Sequence, residues 1–463
     1  LKRLVVVGGG ISGTAAAFTA VKTARARGSH LEVVLLEREA EIGGKAESLR
    51  EGSWLFETGP IGYLDNEPIV EELARDAGLE SELLRASGAQ SHRFVFSRGR
   101  VREVKAHPIG FLTSGLVSFG GLLRAAREPW VSGKTGDSDE SVWSFAARRL
   151  GSEFADRLIH PMALGIFAGD AKRLSLPAAF PVMAELERDH GSLVRAQIAR
   201  ARARRRGELP PRRGTLCSFR GGIQALPRAL ARNGGFETRL KVQVASVGRG
   251  RDGRFAIAME GDREVLSADA VILACEGYRA AAIVSGSANE MARALSEIPH
   301  PPVHVVALGY GPEARGRIPE GFGVLLPRDA GYRALGATWD GYLFPGRSEE
   351  PQLLIRVLFG GTFDPEIDRV EEGAIVETAK REMAKLLGLD APPVFTRARL
   401  WPRAIPQYEL GHNERLARIE KELEAHPGLY LAGNALYGTA FGKAAARGAL
   451  CGKRAVEFLS AVK

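Results

Sequence analysis

Three stretches of the chain are apolar without interruption, Leu4–Val7, Val271–Ala274 and Leu429–Ala432, and a fourth, Leu31–Leu36, is broken only by Glu32 near its start. A strand that water touches on one side alternates in polarity, so unbroken runs of this length predict parallel strands covered on both faces. The stretch 139–167, DESVWSFAARRLGSEFADRLIHPMALGIF, instead spaces its apolar residues at the helical period. SLVRAQIARARARRR is helix-compatible as well, with Leu193, Val194 and Ile198 as a short apolar side. The pattern predicts an α/β core built from both ends of the chain, with helices inserted between.

The residues just after each apolar run carry the chemistry. After Val7 come Gly8, Gly9, Gly10, Ile11, Ser12 and Gly13, a G-x-G-x-x-G. Gly8 permits a tight turn, Gly10 lets backbone approach a pyrophosphate, and Gly13 lets helix and strand pack closely. The next helix aims its N-terminus at the phosphates. Leu31–Leu36 ends on Glu37, placed to accept hydrogen bonds from an adenosine ribose. Strand, fingerprint, helix, strand and acid in order define a dinucleotide site. A second glycine pair, Gly43-Gly44, comes at once and resembles FAD-dependent oxidases more than NAD dehydrogenases. The last apolar run meets Gly433 and Asn434, and a small-residue helix is expected from near Gly442. Its positive end suits the anionic edge of a reduced flavin.

The 463 residues exceed one simple core, so two or three domains are expected. With 45% hydrophobic and 26% charged residues the chain reads as folded rather than disordered. Cys217, Cys275 and Cys451 are far apart, which fits a reduced, cytoplasmic setting and buried packing roles. The nine histidines show no ligand spacing, and no metal is expected. No signal peptide or membrane-spanning run is legible. The net charge of +9 is local: residues 195–213 hold eight arginines and one glutamate, +7 in all, leaving about +2 for the rest.

Further motifs are more specific: LGIFAGDAKRLSLPAAFP (164–181), GGIQALPRAL (221–230), GFGVLLP (321–327), LGATWDGYLFPGR (335–347) and IPQYELGH (405–412). With GGGISG and the C-terminal AGN, they resemble the protoporphyrinogen oxidases along essentially the whole chain. That resemblance implies α/β and α+β units in three parts. A discontinuous Rossmann-like FAD-binding domain would comprise 1–84, 206–288 and 387–463. A mixed-sheet substrate domain would span 289–386, with PPVHVVALGYG and PQLLIRVLFGG as strands. A helical membrane-associating lobe would span 85–205.

The same resemblance implies an activity: three hydride transfers from a porphyrinogen to FAD, with dioxygen reoxidising the flavin to give hydrogen peroxide, protoporphyrinogen IX or coproporphyrinogen III being the substrate. Cofactor contacts would fall on Gly8–Gly13, Glu37, Arg38, Gly44, Lys45, Gly59, Pro60, Ile61, Gly62, Val244, Trp401, Gly433, Asn434, Thr439, Ala440 and Phe441. Around the substrate, Arg93 would bind a propionate, Phe344 would stack on a pyrrole, and the Gly165 carbonyl would face the ring nitrogens. Leu325, with Leu326 as the alternative, would line the slot. The chain departs from the family's closing G-V-G/A-x-x-D-C, having Lys443 and Ala444 in place of Asp-Cys. A lysine there either changes the flavin's electrostatics or points outward. A paralogue oxidising an amine or another small reduced metabolite is the competing reading, and a flavin-binding scaffold without catalysis is the third.

For Arg195–Arg213, nucleic-acid recognition would require base-reading or stacking groups, and none is present, so no nucleic-acid partner is expected. An anionic membrane surface and a solvated linker are the two main readings, each cation near such a surface contributing ~1 kcal/mol. The protein is thus expected to be peripheral on the cytoplasmic face of a membrane. The iron-inserting ferrochelatase and a second copy (a homodimer) are candidate protein partners.

Overall fold

The computed structural model describes residues 1–105, 115–134, 136, 138–208, 214–262 and 264–461; Arg212 and Arg213 of the basic segment lie outside these. The apolar runs form one parallel sheet, in the order Glu237–Arg239, Leu31–Leu36, Lys2–Val7, Ala270–Leu273, Leu429–Leu431. Its two faces explain the unbroken hydrophobicity. Leu4, Val6, Val33, Leu35 and Ile272 pack under helices Ile11–Ala26 and Phe441–Ala461. Val5, Val7, Val34, Leu36, Val271 and Leu273 pack against the antiparallel sheet Val244–Arg249, Phe255–Met259, Val265–Ala268 and helices Gly277–Val284 and Asn289–Ser296. Burying each such side chain contributes about 1.5–3 kcal/mol.

Helices Ile11–Ala26 and Phe441–Ala461, from opposite ends of the chain, meet through small residues. A Cβ on Gly448 would strike the Ser12 carbonyl oxygen, and one on Gly452 that of Ala16. Ser12 Oγ donates to the Ala444 carbonyl at 2.6 Å, locking the register.

The second large sheet is mixed and seven-stranded, in the order Phe395–Trp401, Val303–Tyr310, Leu353–Gly360, Gly336–Thr338, Gly323–Leu325, Arg93–Ser97, Arg100–Glu103. Its membership moves two expected boundaries, and the core beneath the parallel sheet moves a third. The hairpin 93–103 belongs to this sheet rather than to the lobe 85–205, because Arg93–Val95 pairs in parallel with Gly323–Leu325. Phe395–Trp401, expected in the FAD unit, pairs with Val303–Gly309 as an edge strand. Met291 and Leu295, expected in the substrate unit, belong to the core beneath the parallel sheet.

The helical lobe includes Phe119–Ala126, Val142–Leu150, His160–Phe167, Pro181–His190 and Leu193–Arg205. A buried carboxylate starts the arginine-rich helix. Glu128 accepts from Ser192 Oγ (2.6 Å) and the backbone N–H groups of Leu193 (2.8 Å) and Val194 (3.2 Å). Arg149, fully buried, balances Glu128 and bonds Glu187. Glu128 thereby satisfies N–H groups that a helix start otherwise leaves unpaired.

Candidate functional site

A cavity of about 990 Å³ runs between the two large sheets. At one end Gly8, Gly10, Ile11 and Ser12 line it, where helix Ile11–Ala26 begins with no side chain capping its first N–H groups. Uncapped N–H groups facing a cavity form an anion site. Gly10 lies against the second glycine turn, bridging to Gly43, with Gly44 above it. Glu37 is buried, and each of its oxygens already accepts one backbone N–H: Gly9 at 2.5 Å and Glu39 at 2.8 Å. Burial pushes its pKa up while those N–H groups oppose the shift. Carboxylate lone pairs remain for ribose hydroxyls.

Farther along, Gly59, Pro60, Gly62, Trp401, Gly433, Asn434, Thr439, Ala440 and Phe441 line the cavity, as do Arg38, Gly44, Lys45 and Val244. Trp401 is fixed by its Nε1, which donates to the Thr58 carbonyl at 2.8 Å, and by the Arg399 guanidinium 4.7 Å from its ring centroid. The IPQYELGH motif braces this end from behind. Tyr408 Oη donates to the Asn434 carbonyl (2.5 Å) and accepts from the Gly438 N–H (2.8 Å), while His412 stacks on its ring at 4.1 Å. Gln407 Nε2 donates to the Phe167 carbonyl at 2.7 Å, tying the lobe to the same brace.

Lys45 reaches across the cavity, donating to the carbonyls of Arg403 (2.6 Å) and Ala404 (2.8 Å), with Glu276 3.9 Å away. Burial lowers its pKa to about 8, partly offset by Glu276. Burial pushes Glu276 the other way, yet Lys45 beside it holds that carboxyl below the usual range. Glu276, Arg279, Gly43, Gln224, Arg356 and Arg399 also line the cavity. None of the six was among the expected contacts, although Gly43 belongs to the second glycine turn and Gln224 to GGIQALPRAL. Arg356 also left a signal, as the single charge inside the apolar run LLIRVLFG.

The remaining expected residues fall around the far end. Gly165 and its neighbour Ile166 are exposed and line the cavity, and Leu325 packs against Gly165. Leu326 points to the opposite side of the sheet, into the core. Arg93 is exposed, with its guanidinium 5.3 Å from the Phe322 ring centroid. Phe344 departs from expectation. Ile61, Leu84, Leu216 and Leu343 enclose it, and Arg347 lies 5.2 Å from its ring centroid, so it backs the cavity wall without presenting a face. Ile61 belongs to the same cluster, not to the lining. Gly9 and Gly13 serve the turn itself: a Cβ on Gly13 would strike the Gly8 carbonyl oxygen. Lys443 points away from the cavity, toward Glu67, while Ala444 lines it.

An elongated cavity with a pyrophosphate turn, a ribose carboxylate and a second glycine turn at one end defines a flavin-dependent oxidoreductase, with FAD as the cofactor. Residues 15–455 match the family model of flavin containing amine oxidoreductases. The chain belongs to that family and, within it, to the protoporphyrinogen and coproporphyrinogen oxidases. Chloroplastic protoporphyrinogen oxidase of Oryza sativa subsp. japonica is 33% identical, over 95% of this chain and 85% of its own. Coproporphyrinogen III oxidase of Bacillus subtilis (strain 168) is 28% identical, over 97% and 98%. Among solved structures, a presumed protoporphyrinogen oxidase of Exiguobacterium sp. 255-15 superposes with a TM-score of 0.83 at 23% identity, covering 100% and 99%.

Proposed function

We propose that this oxidase converts a porphyrinogen to the corresponding porphyrin, three dioxygen molecules becoming three hydrogen peroxide molecules per macrocycle. FAD supplies the hydride acceptor for each of the three two-electron oxidations. The protein's part is to exclude water and hold a flat, carboxylated ring. The observation that carries this reading is the continuity of one sheet face. Trp401, Val303, Val305 and Leu358 line the cavity, and the same face runs through Leu325 to Arg93. An apolar surface ending in an arginine suits a ring with a propionate at its edge. An amine oxidase is disfavoured, because Lys443, the lysine that favoured it, faces Glu67 instead. Anaerobic addition of porphyrinogen should bleach the yellow protein, and air should restore the colour with porphyrin fluorescence and peroxide. A yellow protein that neither porphyrinogen bleaches overturns the reading.

We further propose that the lobe docks on anionic membranes. Phe119, Leu123, Trp130, Val182, Met183, Val194 and Ile198, all on this lobe, are exposed large hydrophobics, the last two on the arginine-rich helix itself. No helix among the described residues is long and apolar enough to cross a membrane. Sedimentation with anionic vesicles should be strong, weakened by salt, and reduced by Trp130→Ser with Phe119→Ser. Equal, salt-insensitive sedimentation with neutral vesicles counts against it.

A further inference from the structure

Arg356 is 5% exposed and lines the cavity. Two of its three guanidinium nitrogens are held by the wall. Nη1 donates to the carbonyls of Glu57 (3.1 Å) and Gly59, and Nε donates to Thr338 Oγ1 at 3.4 Å, with Asp340 Oδ2 3.5 Å away. Nη2 has no partner among the described residues. A buried, immobilised guanidinium with one free nitrogen facing a cavity is a preformed anion site.

Its position relative to Arg93 is set by strand register. Arg356 pairs with Thr338, Thr338 with Gly323, and Gly323 with Arg93, so the two arginines stand in one cross-strand row on one face. Three strand spacings separate them, about 14 Å between backbones. Between them stand only Thr338 and Gly323, and the adjacent row reads Leu358, Gly336, Leu325, Val95. Two glycines and a threonine keep the floor between the cations low. Arg93 has no carboxylate partner among the described residues.

We infer that Arg93 and Arg356 grip opposite edges of the macrocycle, and that the site selects a porphyrinogen with propionates on both edges. This inference rests on the porphyrinogen-oxidase reading and adds a substrate to it. Coproporphyrinogen III carries four propionates distributed over both edges and satisfies both arginines. Protoporphyrinogen IX carries two propionates on one edge and vinyls on the other, so with its propionates on Arg93 it leaves Arg356 Nη2 against hydrocarbon. A donor stripped of water and given no acceptor is what such a slot discriminates by, even though Asp340 balances the charge behind it.

Fluorescence titration of the FAD-loaded protein with coproporphyrin III and protoporphyrin IX tests it, followed by kcat and KM for the two porphyrinogens. Coproporphyrin should bind at least tenfold more tightly. Arg356→Gln should raise its Kd and the coproporphyrinogen KM at least tenfold, shift the protoporphyrin values less than twofold, and leave FAD content intact. Arg356→Lys should keep most of the preference, and Arg93→Gln should weaken both ligands. In the unaltered protein, methyl esterification of the propionates should erase the coproporphyrin advantage, a result that needs no variant to fold. Equal weakening of both porphyrins by Arg356→Gln, FAD loss from that variant, or tighter binding of protoporphyrin overturns the inference. Failure of the unaltered protein to bind or oxidise either tetrapyrrole would instead overturn the reading beneath it.

Discussion

Lys443 Nζ lies 2.5 Å from Glu67 Oε1, on the outer side of the helix whose first turn borders the cavity. A cation in the first turn opposes the helix dipole, and the Glu67 carboxylate offsets it outside the cavity. Lys443→Met should therefore leave the flavin spectrum and turnover within twofold of the unaltered protein. Because the lysine is about half exposed, the change in stability should stay below about 1 kcal/mol. A shifted flavin absorbance in this variant would mean that the amine does act on the cofactor.

The contact of Gly448 with the Ser12 carbonyl joins the two halves of the cofactor fold, because Ser12 lines the cavity and Ala444 lies one turn away. Gly448→Val forces a branched side chain against backbone that cannot rotate aside. It should cost about 1–3 kcal/mol by overpacking and lower FAD retention through gel filtration in parallel. Leu450→Ala, on the exposed side of the same helix, is the control and should retain flavin.

Tyr408 lies outside the cavity lining, yet its hydroxyl satisfies both the Asn434 carbonyl and the Gly438 N–H behind it. Tyr408→Phe preserves the ring and its stacking on His412 but strands two backbone groups. The expected cost is about 1–3 kcal/mol, read by thermal unfolding, with faster FAD dissociation. An unchanged melt with unchanged FAD release would show that water replaces the hydroxyl.

The dinucleotide half was legible because each of its requirements is local. A doubly covered strand must be apolar throughout, and Gly8, Gly13 and Glu37 are dictated by close approach and by ribose chemistry within 37 residues. The strand read as Val271–Ala274 is Ala270–Leu273, one residue earlier. The substrate half was less legible because sheet membership is non-local. Nothing in SHRFVF announces that Arg93 will pair with Gly323, some 230 residues on. Phe344 shows the same difficulty: an aromatic beside a site and an aromatic facing it have the same local sequence. Arg356 and Glu276 are placed by tertiary packing, and their roles emerge only when the cavity closes around them.

Lys45 makes the pH dependence of cofactor binding informative. Its neighbour Gly44 lies against Gly10, at the uncapped helix N-terminus where a pyrophosphate is expected. Without cofactor its pKa is about 8, so the amine is charged at pH 7 and largely neutral by pH 9.5. An added anion beside it raises that pKa, so binding takes up a proton once the free protein has lost one. FAD affinity should thus be level below pH 8 and fall as pH rises above it, by roughly tenfold for each unit of induced pKa shift. The stability of the cofactor-free protein should move oppositely. Between about 8 and the usual 10.5 the unfolded chain holds the extra proton, so this group's contribution rises with pH across that window. Lys45→Arg keeps the charge throughout and should flatten the affinity profile, while Lys45→Met should bind weakly at every pH. Equilibrium titration with FAD from pH 6.5 to about 9.5 reads all three. An unaltered protein whose affinity is level across that range would remove Lys45 from the phosphate site.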